Sequence, residues 1–243
     1  MPTPRFFLPP PLTAAATIRL PDALAHHALR VLRLRDNASI ILFDGRGGQF
    51  PATLQIHGKG ASAILGAHDP AEAELAGQIT LVQGIASGDK MDWVIEKAVE
   101  LGACAVVPIA AHRSVLQLSG DRLRKRMAHW RRIAQAASEQ SGRNRIMRVD
   151  EPRHLAHYLE EADATSQPAL FCHPDASSTL AHALHGVRDK FALLVGPEGG
   201  WSEEEQALAR ARGLQPVSFG KRVLRTETAG LALMAACSAL LGW

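Results

Sequence analysis

From residue 78 onward the chain alternates short unbroken apolar runs with longer stretches in which apolar side chains recur every three or four positions. QITLVQGI (78–85), residues 106–109, 169–172, 191–195 and 216–219 read as strands, because a strand covered on both faces shows no polar alternation. Residues 90–101, 121–141, 153–162, 179–187, 203–212 and 226–241 have helical spacing. In the first of these Met91, Val94, Ile95, Ala98 and Val99 share one face. Such alternation predicts an α/β fold with a mainly parallel sheet. The earlier part of the chain differs. Residues 39–43, 49–56 and 61–65 are short β-type runs separated by DGRGG and HGKG turn signals, with one helical stretch over 23–34. This predicts a small β-barrel carrying a helix. The segment HDPAEAELAG (68–77) changes composition and reads as a linker, which places the boundary between a domain at 1–72 and one at 73–243.

Composition narrows the class. A chain of 243 residues with 47% hydrophobic and 5% aromatic residues buries an aliphatic core. No apolar run is long enough to span a bilayer, and MPTPRFFLPPPLT has no apolar signal core, so no membrane association or secretion is expected. Cys104, Cys172 and Cys237 form no CxxC pair, and the histidine pairs 26/27, 154/157 and 182/185 have no carboxylate third ligand in evident reach. The expectation is a reduced cytoplasmic protein without a metal.

Charge adds a partner. The net charge is only +3, yet residues 112–148 hold Arg113, Arg122, Arg124, Lys125, Arg126, Arg131, Arg132, Arg143, Arg145 and Arg148 against Asp121 and Glu139. An arginine-rich excess in a nearly balanced chain is the footprint of a polyanion site. A solvated helix face is the plainer alternative.

Two loops carry the chemistry. LLVGPEGGWSEEE (193–205) is a strand end, a glycine-rich turn and a helix start, the place where α/β folds hold ligands. Ser202 and Glu205 have the spacing of a capping box. Glu203, Glu204 and Glu205 suit the helix dipole but repel a phosphate at the same terminus. A cationic ligand without phosphate fits better, and S-adenosylmethionine is the common one. The second loop, FGKRVLRTETAG (219–230), is basic and enters a helix capped by Thr226 that is apolar on nearly every face. Such a helix is buried in the fold or against a second copy of the chain. GIASGDK (84–90) follows a strand as a P-loop does, but its glycines are four apart and Met91 replaces the magnesium-binding Ser/Thr, which argues against an NTPase. A Rossmann-type methyltransferase is disfavoured, since no GxGxG follows an early strand.

GPEGGWSEEE with GKRVLRTETA resembles the paired C-terminal motifs of SPOUT-class methyltransferases, and most closely the 16S ribosomal RNA (uracil-N-3)-methyltransferase family, RsmE-type. HHALRVLRLRDN, ILFDGRGG, KMDWVIEKAVELG and ASEQSGRNR extend the resemblance over the whole chain. It implies an N-terminal PUA-like barrel, an α/β domain with a trefoil knot, a homodimer, and methylation of N-3 of a uridine in 16S ribosomal RNA or the small ribosomal subunit. The implied cofactor cradle is Val195, Gly196, Pro197, Glu198, Gly199 and Gly200 with Phe219, Gly220, Val223, Leu224 and Arg225. Cys172, His173 and Pro174 form its third wall, unless His173 is a plain turn residue. Trp201 is expected to be peripheral.

Removal of the imide proton at uracil N-3 calls for a general base, and the resulting negative charge calls for a fixed cation. Arg225, Arg113 and Arg143 are candidates for the cation. Glu198 and Glu139 are candidates for the base if burial raises their pKa. Each also has a structural reading, Glu198 as a loop anchor and Glu139 as an arginine partner. RNA contacts are expected from Arg30, Arg33, Arg113, Arg122, Arg124, Lys125, Arg131, Arg132, Arg143, Arg145, Lys221 and Arg222. The alternatives are a non-catalytic RNA-binding protein, which leaves the two C-terminal loops unexplained, and a SPOUT methyltransferase acting on another RNA.

Overall fold

The computed structural model describes residues 3–116, 118–163, 167–214 and 216–243. The chain divides into two compact units, one of Met1–Glu74 with Ser138–Ile146, the other of Leu75–Ala137 with Met147–Trp243.

The first unit is a five-stranded sheet, β1 (Arg5–Phe7), β2 (Thr17–Arg19), β3 (Ser39–Phe43), β4 (Phe50–His57) and β5 (Gly60–Leu65), in the order β1-β3-β4-β5-β2. Alternation decides its faces. Along β4, Phe50, Ala52 and Leu54 are buried while Pro51 and Thr53 are exposed. They pack with Phe6, Leu20, Ala28, Leu42 and Ala63. The expected helix at 23–34 is shorter. Helix α1 (Asp22–His26) continues as a π-helical turn over His27–Val31, and Arg33 at φ +54° breaks the spiral. The stretch 68–74, read as linker, is pinned instead. Asp69 and Gln49 exchange backbone hydrogen bonds of 2.8 Å in both directions, and Glu72 accepts from the Gly48 N–H.

The second unit is a seven-stranded parallel sheet. Its strands are β6 (Gln78–Gly84), β7 (Ala105–Ile109), β8 (Arg148–Val149), β9 (Ala169–Cys172), β10 (Ser178–Thr179), β11 (Lys190–Val195) and β12 (Pro216–Ser218), ordered β10-β12-β9-β11-β6-β7-β8. The unbroken apolar runs have the predicted cause, cover on both faces. Phe191, Leu193 and Val195 of β11 join Ile79 and Leu81 of β6 in one core layer, and Ala192 and Leu194 join Val82 in the other. The first layer is closed by α2 (Lys90–Glu100), α3 (Gly120–Ser141) and α7 (Thr226–Leu241); the second takes Leu155 and Leu159 of α4 (Leu155–Asp163) and Ala209 of α6 (Glu203–Ala211). In α3 the buried Met127, Trp130, Ala134 and Ala137 form one stripe, and Arg124, Lys125, Arg131 and Arg132 are exposed. The mainly parallel α/β domain and the separate N-terminal β domain are thus both present. Helix α5 (Leu180–Ala183) is shorter than the expected 179–187, its first turn closed by Thr179 accepting from His182 N–H. Strands β1, β2, β8 and β10 were not legible, because runs of two or three residues establish no period.

Gly84, at the end of β6, lies against the turn after β11: a Cβ there would fall on the backbone nitrogen of Pro197. Backbone cannot yield as a side-chain tip does. Gly84→Ala is therefore expected to destabilise by about 1–3 kcal/mol, seen as a lower urea midpoint. Gly60→Ala, whose nearest contact would be 3.8 Å, should stay within about 0.5 kcal/mol of wild type.

Candidate active site

Strands β12, β9 and β11 end side by side, and the loops that follow them enclose a cavity of about 610 Å³. Every residue expected in the cofactor cradle lines it: Cys172, His173 and Pro174 after β9, Val195 to Gly200 after β11, and Phe219, Gly220, Val223, Leu224 and Arg225 after β12. Burial pushes the Cys172 thiol up, which leaves it an inert wall.

The acidic loop is held from inside. Ser202 Oγ accepts from Glu205 N–H at 3.2 Å, and Glu205 Oε2 accepts from Ser202 N–H at 2.9 Å, the capping box predicted by the spacing. The other Glu205 oxygen accepts from His112 N–H at 3.0 Å. Gly199 abuts Arg113: a Cβ on Gly199 would lie 2.9 Å from that of Arg113, whose Nη1 donates to the Gly199 carbonyl at 3.2 Å.

Glu198 Oε1 accepts from Ser87 N–H (3.0 Å), Ser87 Oγ (2.7 Å) and Lys90 Nζ (2.9 Å). Burial raises its pKa, but these donors outweigh burial and bring it down to about 2. The condition for Glu198 to act as base at neutral pH, a raised pKa, is not met. The same bonds explain GIASGDK. Its serine and lysine bind a carboxylate of the chain rather than a phosphate.

The basic loop is joined to the acidic one through α7. Arg225 is the N-cap and makes no side-chain cap bond. Thr226, expected as the cap, is the first helical residue; its Oγ1 donates to the Gly196 carbonyl at 2.5 Å and accepts from Gln83 Nε2 at 2.8 Å. Gln83 has no solvent access.

Of the candidate catalytic residues, Arg113, Arg225 and Glu198 line the cavity; Glu139 and Arg143 do not. Both belong to the first unit. Glu139 accepts from Phe7 N–H at 2.9 Å, and Arg143, 3% exposed, donates through Nε to Glu74 Oε1 at 2.9 Å and through Nη2 to Oε2. Arg145 pairs with Glu72 at 3.2 Å. Arg30, Arg33, Arg113, Arg122, Arg124, Lys125, Arg131, Arg132, Lys221 and Arg222 are exposed, Arg124 beside Asp121 and Arg131 beside Glu151. Trp201, expected at the periphery, is 2% exposed and stacks on Phe171 with ring centroids 5.5 Å apart; it is core as well as cavity wall. Sequence reasoning missed Gln83 and Glu227, and read Lys90 only as part of the GIASGDK loop and Thr226 only as a helix cap. For the first, a glutamine inside the apolar run QITLVQGI was the available signal.

Among the described residues no group of three or more His, Cys, Asp or Glu is arranged to hold a metal, and no helix is long and apolar enough to cross a membrane. Residues 73–238 match the RNA methyltransferase domain, and residues 20–65 match the RNA methyltransferase PUA domain. The chain is 33% identical over 240 residues to the Ribosomal RNA small subunit methyltransferase E of Synechocystis sp., covering 98% of this chain and 78% of that protein. Its counterpart in Bacillus subtilis is 29% identical over 92% of this chain and 90% of its own. The crystal structure of Ribosomal RNA small subunit methyltransferase E from Neisseria gonorrhoeae, bound to S-adenosyl methionine, has a TM-score of 0.89, with 38% identity and 98% of both chains covered. A putative methyltransferase from Legionella pneumophila, in complex with the same cofactor, has a TM-score of 0.89 at 30% identity, again over 98% of both chains.

The depressed pKa of Glu198 sets a pH test of this architecture. The carboxylate stabilises the fold fully where the unfolded-state group, near pKa 4.3, is ionised, and loses that contribution as pH falls toward 2. In urea unfolding, Glu198→Gln is expected to be about 1–3 kcal/mol less stable than wild type above pH 5, with the gap closing between pH 4 and 2.

Proposed function

The chain belongs to the ribosomal RNA small subunit methyltransferase E family, and from that premise we propose that it transfers a methyl group from S-adenosylmethionine to N-3 of a uridine in small-subunit ribosomal RNA. The observation that carries this reading is the cavity formed by the three strand-end loops, with its lysine already committed. Its volume of about 610 Å³ suits one cofactor-sized molecule. Val195, Val217, Leu224 and Leu233 give it apolar wall for a flat heterocycle. Lys90 is held by Glu198, so no lysine of the lining is left for a phosphate. Residues and cofactor fit.

S-adenosylmethionine supplies a methyl group made electrophilic by its sulfonium. The protein's part is to hold both partners in line, which removes much of the entropic barrier, and to stabilise the negative charge left on the uracil when its imide proton passes to solvent; S-adenosylhomocysteine leaves as the neutral thioether. Arg113 and Arg225 line the cavity and present guanidinium donors to it, which suits them to that charge. Arg143 is committed to Glu74 and Glu198 to Lys90; neither is assigned to the reacting atoms. The exposed basic residues of α3, with Arg30 and Arg33 of the N-terminal domain, take phosphate contacts that provide affinity rather than base choice. On this reading residues 1–72 position RNA and residues 73–243 carry the chemistry, in the cytoplasm. The buried face of α7 comprises Thr226, Gly230, Leu233, Met234 and Cys237, while Leu240 is 57% exposed. An apolar helix covered on one side supports the homodimer reading.

The test is transfer of labelled methyl to unmethylated small subunits and to naked ribosomal RNA, followed by digestion to nucleosides. Label in 3-methyluridine is the expected outcome, with a rate that falls steeply as salt rises. Arg113→Ala is expected to lower kcat by roughly 10²–10³. Label in another nucleoside would overturn the uracil assignment, and no label from cofactor-loaded protein would overturn the ribosomal substrate.

A further inference from the structure

Gln83 shares a face of β6 with Ile79 and Leu81, and α7 covers that face: a Cβ on Gly230 would lie 3.1 Å from Gln83 Oε1 and 3.2 Å from Leu81. The surrounding layer is aliphatic. A methionine there would fill similar space with no strongly polar atom to satisfy, so packing does not account for the amide. Its Oε1 has no partner among the described residues, which leaves Nε2 as the working end.

Nε2 faces the Gly84 carbonyl at 3.1 Å and the Gly196 carbonyl at 3.5 Å. Two carbonyls around one atom require that atom to be a donor. Its third neighbour, Thr226 Oγ1 at 2.8 Å, must therefore accept, and the single hydroxyl proton is left for the Gly196 carbonyl at 2.5 Å. The amide thus sets the direction of the threonine bond. That bond turns the Gly196 carbonyl toward α7 and ties the turn after β11 to the first helical residue, directly after Arg225. Gly196, Arg225 and Thr226 line the cavity; Gln83 stands behind them and does not.

We propose that Gln83 is a positioning residue for methyl transfer, an assignment that rests on the methyltransferase reading above. It acts through the Thr226 hydroxyl, which sets the Gly196 turn for the cofactor and Arg225 for the charge on the uracil. It touches neither reactant.

Two readouts on the full-length chain test this: calorimetric binding of S-adenosylhomocysteine, and methyl transfer to small ribosomal subunits at saturating S-adenosylmethionine. Gln83→Met is expected to weaken binding by roughly 3- to 10-fold and to lower the saturated rate by about 10-fold or more. Thr226→Val should do the same, while Thr226→Ser, which keeps the hydroxyl, should behave as wild type. The double variant Gln83→Met with Thr226→Val should be no worse than Thr226→Val alone, because both changes cut one relay. Val149→Ala, a buried change in β8 at the edge of the sheet, reports general core damage and should move stability but neither readout. A less stable Gln83→Met that binds and turns over as wild type would overturn the assignment, as would effects that multiply in the double variant. If Gln83→Met does not fold, Thr226→Val decides, and its equivalence to Thr226→Ser would overturn the relay. Wild-type protein that binds neither S-adenosylhomocysteine nor S-adenosylmethionine would instead sink the methyltransferase reading.

Discussion

Gln83 sits near the end of β6 without solvent access, and its Nε2 reaches Thr226 Oγ1 at 2.8 Å and the Gly84 carbonyl at 3.1 Å. The Thr226 hydroxyl in turn donates to the Gly196 carbonyl. Three segments far apart in sequence meet at this node: the central strand β6, the turn after β11 and the start of the last helix. The bonded groups are buried and polar, so losing any of these bonds would cost stability; Gln83 Oε1 is the one polar atom of the side chain left without a partner among the described residues. The separation of the two cavity loops is thus fixed by hydrogen bonds as well as by packing. Gly230, one turn further along α7, admits the helix here, since a Cβ would lie 3.1 Å from Gln83 Oε1.

The same economy of partners governs the charges. Glutamates following a glycine-rich turn look like surplus charge at a ligand site, yet two of them are in use. Glu205 closes the capping box and accepts from His112, and Glu198 binds the serine and lysine of the β6–α2 turn. Two loops that each resemble part of a phosphate site neutralise one another. What remains is a cavity with an apolar wall and arginines.

The fold was legible wherever the apolar pattern ran long enough to show a period, as in β6, β11, α2 and α3. It was illegible in β1, β2, β8 and β10, which are two or three residues long. The cofactor cradle was legible because its residues are contiguous in two motifs and one strand end. The charged residues around it were not. Arg143 looks like Arg113 in sequence, since both stand in the same basic segment. Their difference lies in Glu74, sixty-nine positions from Arg143, which no local pattern connects to it. Glu139 and Glu198 differ in the same way, one accepting from Phe7 and the other from Ser87. Long-range pairing decides which charges are free, and a single sequence does not display it.

Glu198 occupies Lys90 and Ser87, which leaves a cavity for a cationic cofactor instead of a phosphate. Competition calorimetry in the presence of a chelator, and again with magnesium and ATP, addresses it most directly. S-adenosylmethionine is expected to bind one site per chain with the same affinity in both conditions. Displacement of S-adenosylmethionine by magnesium–ATP would contradict it, because it would mean that the lysine and the glycine-rich turn remain open to phosphate.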